Sequence, residues 1–322
     1  MQHVAAFLEG LQAGPAVHVR NLSVVPLFGR GLEQPPYLTL DEALGRKVAR
    51  VTEVSDAGQV PELRFENAGP QPVLLVDGEE LVGAKQNRVL NLSILVGAAR
   101  TVGIPVSCVE AGRWTYRSYE FAVAQQKLFA KARARNTARV SESLARSGSR
   151  RGDQSEVWDD IALKFRAMAG RSDTMAVNDL YEARAASVDA FIRAVQAQPG
   201  QLGAVFAIDG RPVGVEVFDA PATLAKQLRK TLASYALDAL EGTATTDAAD
   251  VETAVAGFLG QLKAAAATEY PAIGEGTDVR LAGEGLAAGA LVAEGRVVHL
   301  AGFRVPARSA DEPTAGHAPL PF

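Results

Sequence analysis

A polar block of twelve residues, Asp77-Gly-Glu-Glu-Leu-Val-Gly-Ala-Lys-Gln-Asn-Arg88, is wedged between two apolar runs, 73–76 and 89–96, the second broken only by Asn91 and Ser93. The runs read as buried strands. The charged and amide groups between them must therefore be paired or used, because an unpaired polar group in a core costs stability. Strand parity places Glu79, Leu81, Lys85 and Asn87 on one face and Glu80, Val82, Ala84, Gln86 and Arg88 on the other, with a bulge or bend at Gly83. Two accounts follow. In one, Glu80 and Arg88 point inward as an ion pair that clamps the bend. In the other, Arg88 and Lys85 meet an anionic ligand while Gln86 and Asn87 read its polar edges.

The surrounding pattern is β-rich. Residues 16–27, 48–54, 62–66, 72–76, 80–84, 88–96 and 101–109 read as short strands separated by Gly, Pro and Asn signals, with short connections that favour antiparallel pairing. A short helix is expected at 2–12, and Thr39 has the form of an N-cap. Residues 119–147 read as one long helix, followed by a helix capped by Asp153 and running to about 169, and another over 177–197. Strands return at 203–208, 213–218 and 277–303, with helices at 221–240 and 250–265. The expectation is an α+β protein with mainly antiparallel sheets from the N-terminal and C-terminal parts and a helical middle segment. We expect one domain over 1–305 (β-rich 1–118, helical insertion 119–200, α/β part 201–305) and a disordered tail at 306–322. Asp77-Gly78 and Asp209-Gly210 each follow an apolar run. They are either the favoured two-residue hairpin turn or two copies of a duplicated unit.

Function classes narrow in turn. A formal charge of −4 argues against wholesale nucleic-acid binding. The single Cys108 rules out an internal disulfide and fits a reducing compartment. With Glu9 in the first eleven residues and no basic leader, no secretory signal is expected. No apolar run approaches the roughly 18 residues of a membrane span. A cytoplasmic location without membrane contact is expected. Four scattered histidines do not suggest a histidine-rich zinc site.

Two further blocks carry chemistry. In Ile104-Pro-Val-Ser-Cys108-Val-Glu110-Ala-Gly-Arg113-Trp114, Glu110 ends a buried row, and Trp114 either stacks on a ligand ring or covers core. Cys108 reads as a small packing residue. In Val213-Gly-Val-Glu216-Val-Phe218, a carboxylate inside an apolar strand needs a cation, for which Lys85, Arg88 and Arg113 are the candidates. If Glu80, Glu110 and Glu216 converge, they are the catalytic candidates, able to do acid–base work or to hold Mg²⁺. Glu79, Lys85, Gln86, Asn87, Arg88, Arg113 and Trp114 are the ligand-binding candidates. No metal ligand or other cofactor is assigned. Lys127, Lys131, Arg135 and Arg139 recur every four residues, either as a solvated face paired with Asp153, Glu156, Asp159 and Asp160 or as a phosphate-tracking stripe.

The first block, Pro105-Val-Ser-Cys-Val-Glu110 with Gly112-Arg-Trp114, and Gly214-Val-Glu-Val-Phe218 with Ser234-Tyr-Ala-Leu-Asp-Ala-Leu240 together resemble a bacterial family without an assigned activity. The family is named for its association with ADP-ribosylglycohydrolases and rhodanese-phosphatases. The resemblance spans roughly residues 5–305 and implies the company of ADP-ribose or phosphorylated-nucleotide metabolism. It transfers no catalytic residue. The leading expectation is a domain that binds, and in its strongest form hydrolyses, an anionic nucleotide-like ligand of the ADP-ribose class. The alternative is a non-catalytic interaction or sensor module using the basic helix 119–147.

Overall fold

The computed structural model describes residues 2–55, 61–242 and 250–305. The tail expected at 306–322 lies outside them. Along the chain come α1 (Gln2–Glu9), β1 (Gln12–Ala13), β2 (Val17–Val19), β3 (Leu22–Phe28), β4 (Leu38–Thr39), α2 (Leu40–Gly45), β5 (Ala49–Glu53) and β6 (Glu62–Asn67). Next are β7 (Val73–Leu75), β8 (Glu79–Gly83), β9 (Arg88–Leu90), β10 (Ile94–Val96), β11 (Arg100–Cys108) and β12 (Phe121–Lys127). The helices α3 (Ala130–Ser147), α4 (Gln154–Ala167), α5 (Val177–Ala183) and α6 (Ala185–Ala194) follow. The chain then runs through β13 (Gln201–Ile208), β14 (Arg211–Phe218), α7 (Pro221–Ala239), α8 (Val251–Ala264), β15 (Ala266–Pro271), β16 (Thr277–Gly283), β17 (Leu286–Ala293) and β18 (Arg296–Arg304).

Both ends of the chain build one nine-stranded sheet, ordered β1-β3-β13-β14-β18-β17-β16-β15 with β2 also on β3. Its central strands are apolar on both sides because both faces are covered. Val25, Val205, Val215 and Leu300 pack under α1 and α8. Val24, Phe206, Phe218 and Phe303 pack with Leu224, Leu232 and Tyr235 of α7 on the other face. The fold is α+β, and the sheets are antiparallel apart from β4 beside β7.

The remaining strands make a second β unit. β12-β8-β9-β11-β6-β5 form a six-stranded sheet, and an antiparallel bridge between Thr52 and Glu120 joins its two ends into a small barrel. Its interior is filled by side chains such as Val51, Leu63, Phe65, Leu81, Leu90, Ile104 and Phe121, as expected of a barrel this narrow. β10-β7-β4 make a three-stranded sheet beside it.

Four sequence expectations change. The strand expected over 16–27 is two, β2 and β3, paired antiparallel about a turn at Arg20-Asn21 where Arg20 has a positive φ. The helix expected over 119–147 starts only at Ala130, because 121–127 is a barrel strand paired with β8. Its helix-forming Ala, Gln and Lys are overridden by strand pairing and by the burial of Phe121. The strand expected over 88–96 is two strands in different sheets. They separate at Asn91, whose side chain bonds Ser107, Asn136 and the Arg150 carbonyl. The helix expected over 177–197 breaks at Arg184. Two caps are as expected. Thr39 and Glu42 form a reciprocal capping box, and Asp153 accepts from the Ser155 and Glu156 amides.

Asp209 and Gly210 (φ 49° and 73°) make a positive-φ turn between paired strands β13 and β14, as do Glu294 and Gly295 between β17 and β18. Asp77-Gly78 instead joins β7 to β8, which lie in different sheets. The two Asp-Gly units are not equivalent hairpins, and the shared dipeptide is turn chemistry.

Candidate functional site at the barrel mouth

β8 and β9 are the arms of a hairpin closed by residues 84–87, with Glu80 opposite Val89 and Leu81 opposite Arg88. Arg88 is also opposite Cys108 across β11. Cross-strand partners share a face, so Arg88 ends the inner row of the barrel while Glu80 lies on the outer side. The Glu80–Arg88 ion pair of the clamp account is absent. Parity along a single strand puts the two on one face, but the chain reverses at 84–87.

Arg88 is wholly buried. Its Nη1 donates to Gln86 Oε1 at 3.0 Å and lies 3.6 Å from Cys108 Sγ. Nε and Nη2 have no hydrogen-bond acceptor, and among the described residues no carboxylate lies within ion-pair distance. Burial pulls the guanidinium below its ordinary pKa. Trp114 covers it, with the ring centre 5.5 Å from Arg88 Cζ. Lys85 Nζ lies 5.4 Å from the Trp114 ring and 5.1 Å from that of Tyr116. Trp114 is half-buried and Tyr116 is 48% exposed, so the aromatic cover faces solvent.

Arg113 fastens the rim. It donates to Glu110 at 2.7 Å, to Asn87 Oδ1 at 3.1 Å, and to the carbonyls of Gly83, Ala84 and Thr115. Glu110 also accepts from the Asn87 amide (3.1 Å) and Thr174 Oγ1 (3.0 Å). Burial pushes the Glu110 carboxyl up, but these donors win and hold it below the usual carboxylate range. Gln86 Nε2 donates to the Glu110 carbonyl. On the outer side, Glu80 accepts from Asn87 Nδ2 and Gln126 Nε2, both at 3.3 Å, and among the described residues no cation pairs with it. Burial pushes Glu80 up to about 8. Asn87 therefore bridges one ionised and one protonated carboxyl.

Glu79 and Glu216 lie elsewhere, between the barrel and the nine-stranded sheet. Glu79 is opposite Lys127 in register and accepts from Lys230 and Gln227. Glu216 accepts from Lys127 at 2.7 Å and from Arg133, which also donates to Asp77 at 2.7 Å. Gly78 is required there, because a Cβ would come within 2.4 Å of Arg133 Nε. Burial alone would raise the Glu216 pKa, but Arg133 and Lys127 hold it well below the ordinary range. Its cations are not Lys85, Arg88 or Arg113, and Glu80, Glu110 and Glu216 do not converge. Among the described residues no group of three His, Cys, Asp or Glu is placed to hold a metal ion.

Gln126 and Lys127 give no sign of being site partners because 121–127 reads as helix, whereas Arg133 lies on the expected helix but on its buried side. The basic stripe is divided: Lys127 and Arg135 are buried while Lys131 and Arg139 are partly exposed, and the pairing with Glu156 and Asp160 is as expected. Lys127 and Arg133 are buried as above, Arg135 pairs with Asp160, and Arg139 pairs with Glu156 at 2.6 Å and Glu142 at 2.7 Å. No helix among the described residues is long and apolar enough to cross a membrane. Cys108 is buried, and burial pushes its thiol up to about 11 despite Arg88 beside it.

Residues 10–303 match the ARG and Rhodanese-Phosphatase-superfamily-associated Protein domain, and the chain belongs to that family. No curated protein and no solved structure matches the chain.

Proposed function

We propose that this member of the ARG and Rhodanese-Phosphatase-superfamily-associated Protein domain family binds a small anionic, nucleotide-like ligand at the barrel mouth. Arg88 carries the reading. A wholly buried guanidinium with two unsatisfied nitrogens costs stability, and an anionic oxygen is the group that relieves it. The mouth of a β-barrel is also a preferred place for small-molecule sites.

In this reading the ligand's acidic group displaces Trp114 from Arg88 and sits between Arg88 and Lys85. Trp114 and Tyr116 then cover its ring. Arg113 and Glu110 keep the 84–87 turn in shape beneath it. The family's name favours the ADP-ribose class. Hydrolysis is the more demanding form of the same proposal. Its support is the Glu80–Glu110 pair, whose environments push the two carboxyls in opposite directions, as in known acid–base pairs. Glu216 has no part in it at this mouth.

A thermal-shift panel with ADP-ribose, NAD, ATP and inorganic phosphate, each with and without Mg²⁺, tests the proposal. ADP-ribose at a hundredfold excess over its dissociation constant stabilises by about 2.7 kcal/mol, and Lys85→Ala or Trp114→Ala reduces the shift. No shift with any ligand counts against it.

A further inference from the structure

Ser93 and His299 meet at a second polar site that the barrel mouth does not include. Ser93 lies in the 91–93 connection where the chain leaves the barrel, and His299 lies on β18 of the nine-stranded sheet. Ser93 Oγ is 2.7 Å from His299 Nδ1 and accepts the Asp77 amide at 2.9 Å. With that amide donating to the oxygen, the hydroxyl hydrogen is available to the imidazole. His299 is buried, stacked on Phe218, and its Nε2 faces Glu216 Oε2 at 3.7 Å. The ionised Glu216 favours the tautomer with the proton on Nε2, which leaves the Nδ1 lone pair towards Ser93. A cavity of about 20 Å³, room for one water, is walled by Ser93, His299, Asp77, Asp278 and Arg280. Ser93 is only half-buried, so the site has an outer side.

We propose that Ser93 is a nucleophile activated by His299, that Glu216 is the positioning carboxylate, and that the site accepts acetyl-sized acyl groups from esters. The Ser93 hydroxyl proton passes to His299 Nδ1 as Oγ bonds to the acyl carbon. The ester C–O bond then breaks, and the leaving alkoxide takes that proton. Water repeats the sequence, releasing the carboxylic acid and restoring Ser93. The size limit follows from the cavity: with room for one water it admits the methyl of an acetyl group and no longer chain, the acyl carbon itself sitting at Ser93 Oγ. Among the described residues Arg280 is the one cation on its wall, and it is paired with Asp278 at 2.8 Å.

His299 has to be neutral to act as base, and burial holds its pKa below the ordinary value against the opposing pull of Glu216. The charged groups around it are Glu216 on β14, Lys127 on β12, Arg133 on α3, Asp77 in the β7–β8 turn, and Asp278 and Arg280 on β16.

The test is p-nitrophenyl acetate with the full chain, followed by peptide mapping. The expected result is an acetyl group on Ser93 and p-nitrophenolate release. Release falls to the background of the unfolded chain in Ser93→Ala, and by about a hundredfold or more in His299→Gln. Ser93→Ala removes only a hydroxyl from a half-buried position, and a thermal melt confirms its fold. If His299→Gln does not fold, the wild-type pH profile replaces it. The rate should rise through an acid limb below about pH 6.5, the ordinary histidine value. Glu216→Gln should move that limb to lower pH, because the carboxylate supports the imidazolium; an unmoved limb removes Glu216 from the proposal. Acetylation that maps to lysines, or release unchanged in Ser93→Ala, overturns it.

Discussion

Arg88 lies 5.5 Å below the Trp114 ring, wholly buried, and none of the described carboxylates pairs with it. The contrast is Arg133, equally buried, which donates to both Asp77 and Glu216. One guanidinium is spent inside the fold and the other is held without a counter-ion. That difference can be measured.

Arg88→Met is expected to melt at or above the wild-type temperature, a gain of up to about 1 kcal/mol, because it replaces an unpaired buried charge with apolar volume. The same variant should lose ligand-induced stabilisation. A loss of several kcal/mol in a denaturant titration would instead make Arg88 a structural clamp.

Arg133→Met is expected to go the other way. It leaves Asp77 and Glu216 buried, with Lys127 on Glu216 as the remaining cation, and should cost about 3–5 kcal/mol. A cost below about 1 kcal/mol would show that the central network does not hold the barrel to the sheet.

Glu80 sets a pH dependence of unusual sign for a carboxylate. Its folded pKa, about 8, lies above the ordinary glutamate value of about 4.5, so the folded state holds the proton more tightly. The stabilisation is complete below about pH 4.5 and is lost as pH rises through about 8, by on the order of 5 kcal/mol. Glu110, held low, has the opposite sign: its contribution is present above the ordinary carboxylate value and is lost as pH falls through its folded pKa. Chemical denaturation at pH 5, 7 and 9 should show the wild type weakening over that range and Glu80→Gln weakening less. Parallel curves would place a cation beside Glu80 and contradict the geometry.

Much of this was legible in the sequence, and the failures have physical causes. The polar block stands out because two apolar runs bracket it, and in the structure Arg113 bonds Glu110 while Trp114 covers Arg88. What could not be read was the reversal at 84–87, which puts Glu80 and Arg88 on opposite sides of the hairpin. Nor could the sequence say which cations meet Glu216. Lys127 reads as part of a helical stripe because Ala, Gln and Lys have high helix propensity, and only pairing with β8 makes residues 121–127 a strand; Arg133 is helical as expected, but on the buried side of α3. His299 gave no signal, because its partner Ser93 is 206 residues away in sequence.

Cys108 is expected to be inert in the folded protein. With its thiol buried and pushed up to about 11, it should fail to react with a disulfide reagent at pH 8 and react fully once the chain is unfolded. Fast reaction in the native state would show that the Arg88 end of the barrel opens readily.

The proposed site is tested most directly by the emission of Trp114. The chain has two tryptophans, so Trp158→Phe leaves Trp114 as the only one. Titrating that variant with ADP-ribose should change the emission saturably as the ring leaves Arg88 and covers the ligand, and the change should vanish when Arg88→Met is added. Emission that stays constant through millimolar ADP-ribose, or that changes equally with and without Arg88, would contradict ligand binding at the barrel mouth.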